Sequence, residues 1–118
     1  MLKSKSLEFQ WLGGGKMAVA FISGAMTGIE NFNREAFFKA EEELKKKGYV
    51  VLNPATLPDG LERECYLDID FAMLRQADSI YMLKGWEKSK GARGELLVAL
   101  MLGIDVLFEN PNRVESVK

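Results

Sequence analysis

The sequence contains no histidine and a single cysteine, Cys65. Histidine is the commonest metal ligand and general base in proteins, so acid–base chemistry in this chain has to use carboxyl groups. One cysteine cannot form a disulfide within the chain, which excludes a disulfide-stabilised scaffold. We therefore expect a protein that requires neither a metal nor another cofactor.

The sequence also lacks an excess of charge of either sign, with 16 basic and 17 acidic side chains. Proteins that bind nucleic acid polymers or anionic membranes usually carry a clustered basic surface, so neither partner is expected. No apolar run approaches the roughly 20 residues of a membrane-spanning helix, and the N-terminus lacks the pattern of a secretion signal. These absences predict a cytoplasmic protein.

The length of 118 residues suits one well-buried domain and is too short for two. Residues 1–16 mix charged and isolated apolar side chains with three consecutive glycines and show no period. We predict a flexible extension there, a domain over residues 17–110 and a tail over residues 111–118. One hypothesis is that Met17 is the true start of the protein, and the alternative is an ordinary disordered tail.

Strand and helix patterns alternate from Met17 onward. Short continuous apolar runs predict four strands, at residues 18–23, 49–52, 79–83 and 104–108. Helices are predicted from a cap at Asn31 or Asn33 to about Lys47, from about Glu62 to Gln76, and from Gly91 to Leu102. This alternation predicts a three-layer, flavodoxin-like or Rossmann-like α/β domain, with a parallel sheet of four or five strands in the order 2-1-3-4.

Glycine-containing loops follow the first three strands, at residues 24–28, 53–60 and 85–94. In a sheet of this order, ligands bind beyond the carboxyl ends of the strands, where the strand order reverses. The three loops meet at that point, which predicts a ligand site. Each loop alone is weak support, because many α/β proteins need glycine at such turns for geometry.

Two carboxylates lie in otherwise apolar helix sequence. Glu95 is the only ionisable residue from Gly94 to Ile104, near the start of a helix whose N-terminus would help to keep it ionised. Asp70 falls within the apolar arc of its own helix, where desolvation would raise its pKa and favour proton donation. For each, the alternative is a structural carboxylate that caps a helix or accepts hydrogen bonds from buried donors.

The helix that carries Glu95 has apolar side chains on every side. A helix of this kind is normally buried on more than one side. One side is expected to pack on its own sheet and the other on a second subunit. We therefore predict a homodimer or a larger homo-oligomer.

Four features of the sequence occur together: Phe-Ile-Ser-Gly-Ala-Met-Thr-Gly (residues 21–28), Asn53-Pro54-Ala55, Asp70 eight residues before Asp78, and Gly-Trp-Glu-x-Ser-x-Gly-Ala-x-x-Glu (residues 85–95). In this combination they resemble the nucleoside 2-deoxyribosyltransferase superfamily. More narrowly, residues 17–109 are similar to small bacterial and phage proteins of the DUF4406 type, which are relatives of the 2′-deoxynucleoside 5′-phosphate N-hydrolases.

The resemblance implies cleavage of the N-glycosidic bond of a 2′-deoxynucleoside or its 5′-monophosphate, by hydrolysis or by transfer to a second base. In the family, the glutamate matching Glu95 attacks the anomeric carbon, and the aspartate matching Asp70 assists departure of the base. Ser89 favours a 5′-monophosphate, because transferases tend to carry aspartate there. Phe21 replaces a tyrosine whose hydroxyl helps to orient the nucleophile in relatives.

The predicted substrate-binding residues come from the converging loops and the strand end before them: Phe21, Ser23, Gly24, Met26, Gly28, Asn53, Pro54, Trp86, Ser89, Gly91 and Ala92. Backbone N–H groups of residues 24–28 and 91–93, with the hydroxyl of Ser89, could hold a 5′-phosphate at helix N-termini. Trp86 either stacks on the base or closes the core beneath its loop. Arg93 either pairs with a phosphate or is solvated.

A second function class uses the same pocket. The chain could be a binding module that holds a nucleotide, or a signal derived from one, without cleaving it. The expected partner is in either case a deoxynucleoside or deoxynucleotide.

Overall fold

The computed structural model of the chain describes residues 11–13 and 16–109. Two short strands, β1 (Trp11–Gly13) and β2 (Lys16–Met17), pair antiparallel ahead of the main sheet. β1 and the first residue of β2 lie within the extension predicted over residues 1–16, whereas Met17 belongs to the predicted domain. The rest of that prediction (residues 1–10, 14 and 15), the tail at 111–118 and the domain end at residue 110 lie outside the described residues.

The main sheet consists of β3 (Val19–Ser23), β4 (Val50–Leu52), β5 (Ser79–Met82) and β6 (Asp105–Phe108), all parallel. Its order is β4-β3-β5-β6, so the predicted order 2-1-3-4 is confirmed, with four strands in the described part of the chain. The first strand in sequence is therefore central. A central strand is covered on both faces of the sheet, which explains why the sequence of β3 is a continuous apolar run.

Three helices cover the sheet: α1 (Arg34–Lys46), α2 (Arg63–Arg75) and α3 (Lys90–Leu102). Alternate residues of β3 point to opposite faces. Ala20 and Ile22 pack with Phe37 and Leu44 of α1. Phe21 packs on the opposite face, in a cluster that includes Leu74 of α2 and Ala99 of α3. The predicted three-layer architecture is therefore confirmed. Among the described helices, none has the length and apolar content needed to cross a membrane.

The start of α1 differs from the prediction. Neither asparagine caps the helix with its side chain: the amide of Asn33 donates to the carbonyl of Ala25, and that of Asn31 accepts a hydrogen bond from Arg34. A 3-10 turn, Glu30–Asn33, precedes α1, and residues 31–33 have φ values of 53°, 55° and 62°. A capping side chain needs extended backbone at its own residue, which this left-handed run does not provide.

The start of α3 lies earlier than the prediction placed it. Ser89 caps this helix, because its Oγ accepts a hydrogen bond of 3.0 Å from the N–H of Ala92. Glu95 is the sixth residue of α3 and lies in its second turn. The field of a helix N-terminus fades within the first turn, and the expectation that it helps to keep Glu95 ionised stays a prediction.

One side of α3 is apolar and exposed. Ala92 and Ala99 pack on the sheet, whereas Leu97, Leu100 and Met101 are 62%, 57% and 84% exposed. Within a single chain, α3 is therefore buried on one side only. The expectation that a second subunit covers the other side stays a prediction.

Candidate active site

A cavity of about 990 Å³ lies beyond the carboxyl ends of β3 and β4. Its lining brings together nine residues singled out in the sequence: Ser23, Gly24, Met26, Pro54, Asp70, Ser89, Gly91, Ala92 and Glu95. They come from β3 and the loop after it, the turn after β4, α2 and the start of α3. The cavity therefore occupies the switch point at which the sequence predicts a ligand site.

Phe21 and Asn53, also expected at the substrate, do not line the cavity. Phe21 is completely buried in the apolar layer between the sheet and α3. The side chain of Asn53 is used by the protein itself. Its Oδ1 accepts from the N–H of Ala55 at 2.9 Å, and its Nδ2 donates to Glu41 at 2.8 Å. Asn53 therefore fixes the turn that carries Pro54 into the lining.

Trp86 and Gly28 also lie outside the lining. The indole ring of Trp86 packs against Phe108, with 6.1 Å between ring centroids, in the core on the α3 side of the sheet. Of the two roles considered for Trp86, its position favours closing the core. Gly28 is in an exposed turn with φ of 83°, a conformation that glycine adopts without strain.

Gly24 lines the cavity, but its lack of a side chain serves packing. A Cβ at this position would lie 2.8 Å from Cδ1 and 2.9 Å from Cβ of Leu83, the buried residue just after β5. Glycine is therefore required where the loop after β3 passes over the end of β5.

Glu95 is the most deeply placed ionisable group of the cavity. The hydroxyl of Ser23 donates a hydrogen bond of 2.6 Å to Glu95 Oε1. Burial raises the pKa of Glu95 to about 8, the Ser23 hydrogen bond opposes this rise, and the neighbouring Asp70 adds to it. A carboxyl group with this environment holds its proton at a pH where an exposed glutamate is ionised.

Asp70 points from α2 to Glu95, as its place in the apolar arc of the helix predicts. Burial raises the pKa of Asp70 to about 6, while its hydrogen bond with Glu95 has the opposite effect. Among the described residues, Oδ1 of Asp70 has no hydrogen-bond partner although it is buried. Two hydrogen-bonded carboxyl groups share protons, so Asp70 and Glu95 titrate as a pair and carry one proton between them near neutral pH.

Positive charge surrounds the mouth of the cavity. The cationic side chains in its lining are Arg34, Arg63, Lys88 and Lys90, from α1, α2, the turn before α3 and the first residue of α3. Arg34 is paired with Asp59 at 2.5 Å. Arg93 is exposed, lies outside the lining and donates to the carbonyl of Glu87 at 2.7 Å, so of the two alternatives its position favours a solvated arginine.

The sequence analysis did not identify the residues that close the cavity on the α1 side. Phe32 lines the cavity from the left-handed turn, and the guanidinium of Arg34 lies 5.2 Å from the centre of its ring. A phenylalanine with positive φ is uncommon and marks backbone held in place by its surroundings. Asparagine adopts positive φ more readily than most residues, so Asn31 and Asn33 on either side of Phe32 are the available signal in the sequence.

Tyr66 is a further residue that the sequence analysis did not identify. Its hydroxyl donates to the carbonyl of Pro58 at 2.6 Å and accepts from the N–H of Leu61 at 3.1 Å. These two bonds fix the loop before α2, and residues 57–61 of that loop line the cavity.

The kinds of side chain and their positions indicate which chemistry the cavity can support. Within residues 11–13 and 16–109, no group of three or more carboxylate or thiol side chains is placed to hold a metal ion. The polar side chains that line the cavity are the carboxyls of Asp59, Asp70 and Glu95, the hydroxyls of serine, threonine and tyrosine, and four cations. This set can bind an anionic ligand and transfer a proton.

Comparisons with known proteins give one match. The model of the family described as "Domain of unknown function (DUF4406)" matches residues 18–108, which include the whole cavity lining. Neither the curated proteins nor the solved structures contain a significant match.

Proposed function

The chain belongs to the DUF4406 family, and from its site we propose that it cleaves the N-glycosidic bond of 2′-deoxynucleoside 5′-monophosphates. The observation that carries the proposal is the hydrogen-bonded pair of Asp70 and Glu95 in the cavity. Cleavage of this bond passes through an oxocarbenium-like state, which requires a negative group below the sugar and an acid beside the leaving base. Two carboxyl groups that share one proton supply both the negative group and the acid.

In the proposed first step, the carboxylate of Glu95 attacks C1′ of the deoxyribose. The C1′–N bond breaks, and Asp70 gives its proton to the departing base. The product is a glycosyl ester on Glu95. In the second step, water attacks C1′, Asp70 accepts a proton from that water, and the ester bond to Glu95 breaks. A second base in place of water would make the reaction a transfer.

The protons of the pair have to be redistributed before the first step. The pKa of Glu95 is raised further by burial than that of Asp70, so the shared proton resides on Glu95 at neutral pH. Retaining glycosidases hold their two carboxyl groups about 5 Å apart. Deoxyribose between Asp70 and Glu95 breaks their hydrogen bond, and transfer of the proton to Asp70 beforehand gives the ionised nucleophile and the acid.

The preference for a 5′-monophosphate rests on the charge of the lining. Lys88 and Lys90 flank Ser89 at the start of α3, and all three line the cavity. The Oγ of Ser89 accepts from the N–H of Ala92, which leaves its hydroxyl proton free to donate. A serine between two lysines attracts a phosphate, whereas a free 5′-hydroxyl would gain little from either cation.

The test is release of free base, measured by chromatography, from deoxynucleoside 5′-monophosphates and from the matching nucleosides. We expect release from the monophosphates, with tighter binding of the monophosphate in calorimetry. Glu95→Gln and Asp70→Asn should each abolish release, because they remove the negative charge and the transferable proton while they keep the shape.

Matched controls come from exposed carboxylates of α2. Asp68→Asn and Glu64→Gln make the same chemical changes at the surface and should leave base release intact. Equal rates of base release by wild type and Glu95→Gln would contradict the proposal that Glu95 is the nucleophile. Equal affinity for nucleosides and monophosphates would remove only the phosphate preference.

The second candidate is a binding module. The observation in its favour is that burial raises the pKa of Glu95 to about 8, because a neutral carboxyl suits a hydrogen bond to a ligand better than attack on it. Saturable binding of a monophosphate without release of base over hours would support this function against cleavage.

A further inference from the structure

Ser23 offers its hydroxyl to the carboxyl pair from a rigid position. It is 1% exposed and is the last residue of β3. Its carbonyl accepts a hydrogen bond of 2.8 Å from the N–H of Leu83, and the sheet register places it beside Met82 of β5. The 2.6 Å hydrogen bond from Ser23 Oγ to Glu95 Oε1 therefore comes from the central strand, not from a mobile loop.

The contacts of the two carboxyl groups are unequal. Glu95 receives the hydroxyl of Ser23, whereas Oδ1 of Asp70 has no donor among the described residues. The hydrogen bond from Ser23 lowers the pKa of Glu95, whereas burial and the neighbouring Asp70 raise it. The hydrogen bond from Ser23 therefore acts against the tendency of burial to hold the proton on Glu95.

Other groups face the cavity but do not create the asymmetry. Asp70 is the titratable group that meets Glu95 from α2, and the remaining charged or titratable side chains of the lining are Arg34, Asp59, Arg63, Tyr66, Lys88 and Lys90. On β3, the neighbour of Ser23 on the same face is Phe21, which has no polar side-chain atom.

We propose that Ser23 is a positioning residue for the carboxyl pair: its hydroxyl stabilises the ionised form of Glu95 and so favours transfer of the shared proton from Glu95 to Asp70. The roles of nucleophile and acid rest on the proposed function, but the placement of charge does not. Without the hydroxyl, the proton would be held more tightly on Glu95, and the state with an ionised Glu95 and a protonated Asp70 would be less populated.

The test is an NMR titration of the ¹³C-labelled side-chain carboxyl of Glu95, in wild type and in Ser23→Ala. Loss of one hydrogen bond to a charged group should raise the proton affinity of Glu95 about tenfold or more, seen as a titration midpoint at higher pH. Ser23→Cys, with a weaker donor of similar size, should fall between the two and guards against failure of the alanine variant to fold. Ser79→Ala is the matched control, since Ser79 is a buried serine at the opposite end of the sheet.

This titration needs no enzymatic activity, so it separates the two proposals. A Glu95 midpoint that is unchanged or lower in Ser23→Ala overturns the role of Ser23, whatever the protein catalyses. If wild type releases base, Ser23→Ala should also lower kcat with little change in KM and shift the acidic limb of the pH–rate profile upward. A fall in kcat without that shift would equally overturn the role, because it would indicate a merely structural serine.

Discussion

At the scale of single residues, Asp70 and Glu95 link the site to stability. Both have pKa values raised by burial, from 3.8 to about 6 and from 4.5 to about 8. In the unfolded chain both groups lose their protons near pH 4, whereas the folded protein holds them to higher pH. The folded state therefore binds more protons between these limits, and its stability falls as the pH rises through them.

Glu95→Gln should remove the Glu95 part of this dependence. Below about pH 4.5 glutamate and glutamine are both neutral, so the two proteins should melt at similar temperatures. As the pH rises from about 4.5 to about 8, the variant should gain thermal stability over wild type, because glutamine never has to hold a proton or a buried charge. Thermal melts followed by circular dichroism at several pH values measure this difference.

The exposed change Glu64→Gln serves as the control and should follow the wild-type curve. A Glu95→Gln variant that melts well below wild type at pH 8 would contradict the expectation. It would identify Glu95 as a structural hydrogen-bond acceptor and weaken its assignment as nucleophile.

The sequence identified the two carboxyl groups but not their contacts. Glu95 and Asp70 were predictable because a charged residue in an apolar helix pattern breaks a local rule. The hydroxyl of Ser23 reaches Glu95 across 72 positions of sequence, and no local pattern records such a contact. For Asn53 the sequence predicted a contact that the structure does not show. Its loop predicts contact with a ligand, but its side chain forms hydrogen bonds with Ala55 and Glu41.

At the scale of elements, Ser89 has a structural task beside its proposed one. Its side chain caps α3, and loss of a serine cap costs about 1 kcal/mol. Ser89→Ala should lower the free energy of unfolding by that amount. Ser89→Asp keeps a capping oxygen, so it should be close to wild type in stability, yet it should weaken binding of a 5′-monophosphate because it repels the phosphate.

Urea unfolding and calorimetry with a deoxynucleoside monophosphate separate the two tasks of Ser89. If Ser89→Asp binds the monophosphate as tightly as wild type, Ser89 is only a cap and the phosphate lies elsewhere. Binding of the matching nucleoside is the internal control, since it should not respond to the added charge.

The elements themselves were predictable to different degrees. The strand order follows from the alternation of strands and helices, and the end of α1 follows from Gly48, which has φ of 91°. The helix starts were less accurate, because they depend on contacts between distant segments. Asn33, for example, bonds to the carbonyl of Ala25 in the loop after β3 instead of capping α1.

At the scale of the whole molecule, the exposed face of α3 predicts self-association. Leu97, Leu100 and Met101 form an apolar surface on one helix, which is costly to leave in water. We expect a homodimer or larger assembly at micromolar concentration in sedimentation experiments. Leu100→Lys should shift the protein toward monomer, whereas Phe38→Lys, at a 43% exposed position on α1, should not.

A wild-type protein that sediments as a monomer at that concentration would contradict this expectation. So would an oligomer that both lysine variants leave intact, because its interface would then lie away from α3.

The central place of β3 also affects how the protein is made. β3 is the first of the four parallel strands to leave the ribosome, yet Glu95, the partner of Ser23, follows it by 72 residues. At about 5–20 residues per second, roughly 4 to 14 s of translation separate them. During that interval the nascent β3 lacks its cover from α3, and the buried serine has no carboxyl to meet. Because α3 carries both the cover of this face and Glu95, the face is covered and the carboxyl pair is formed only once α3 has packed on the sheet.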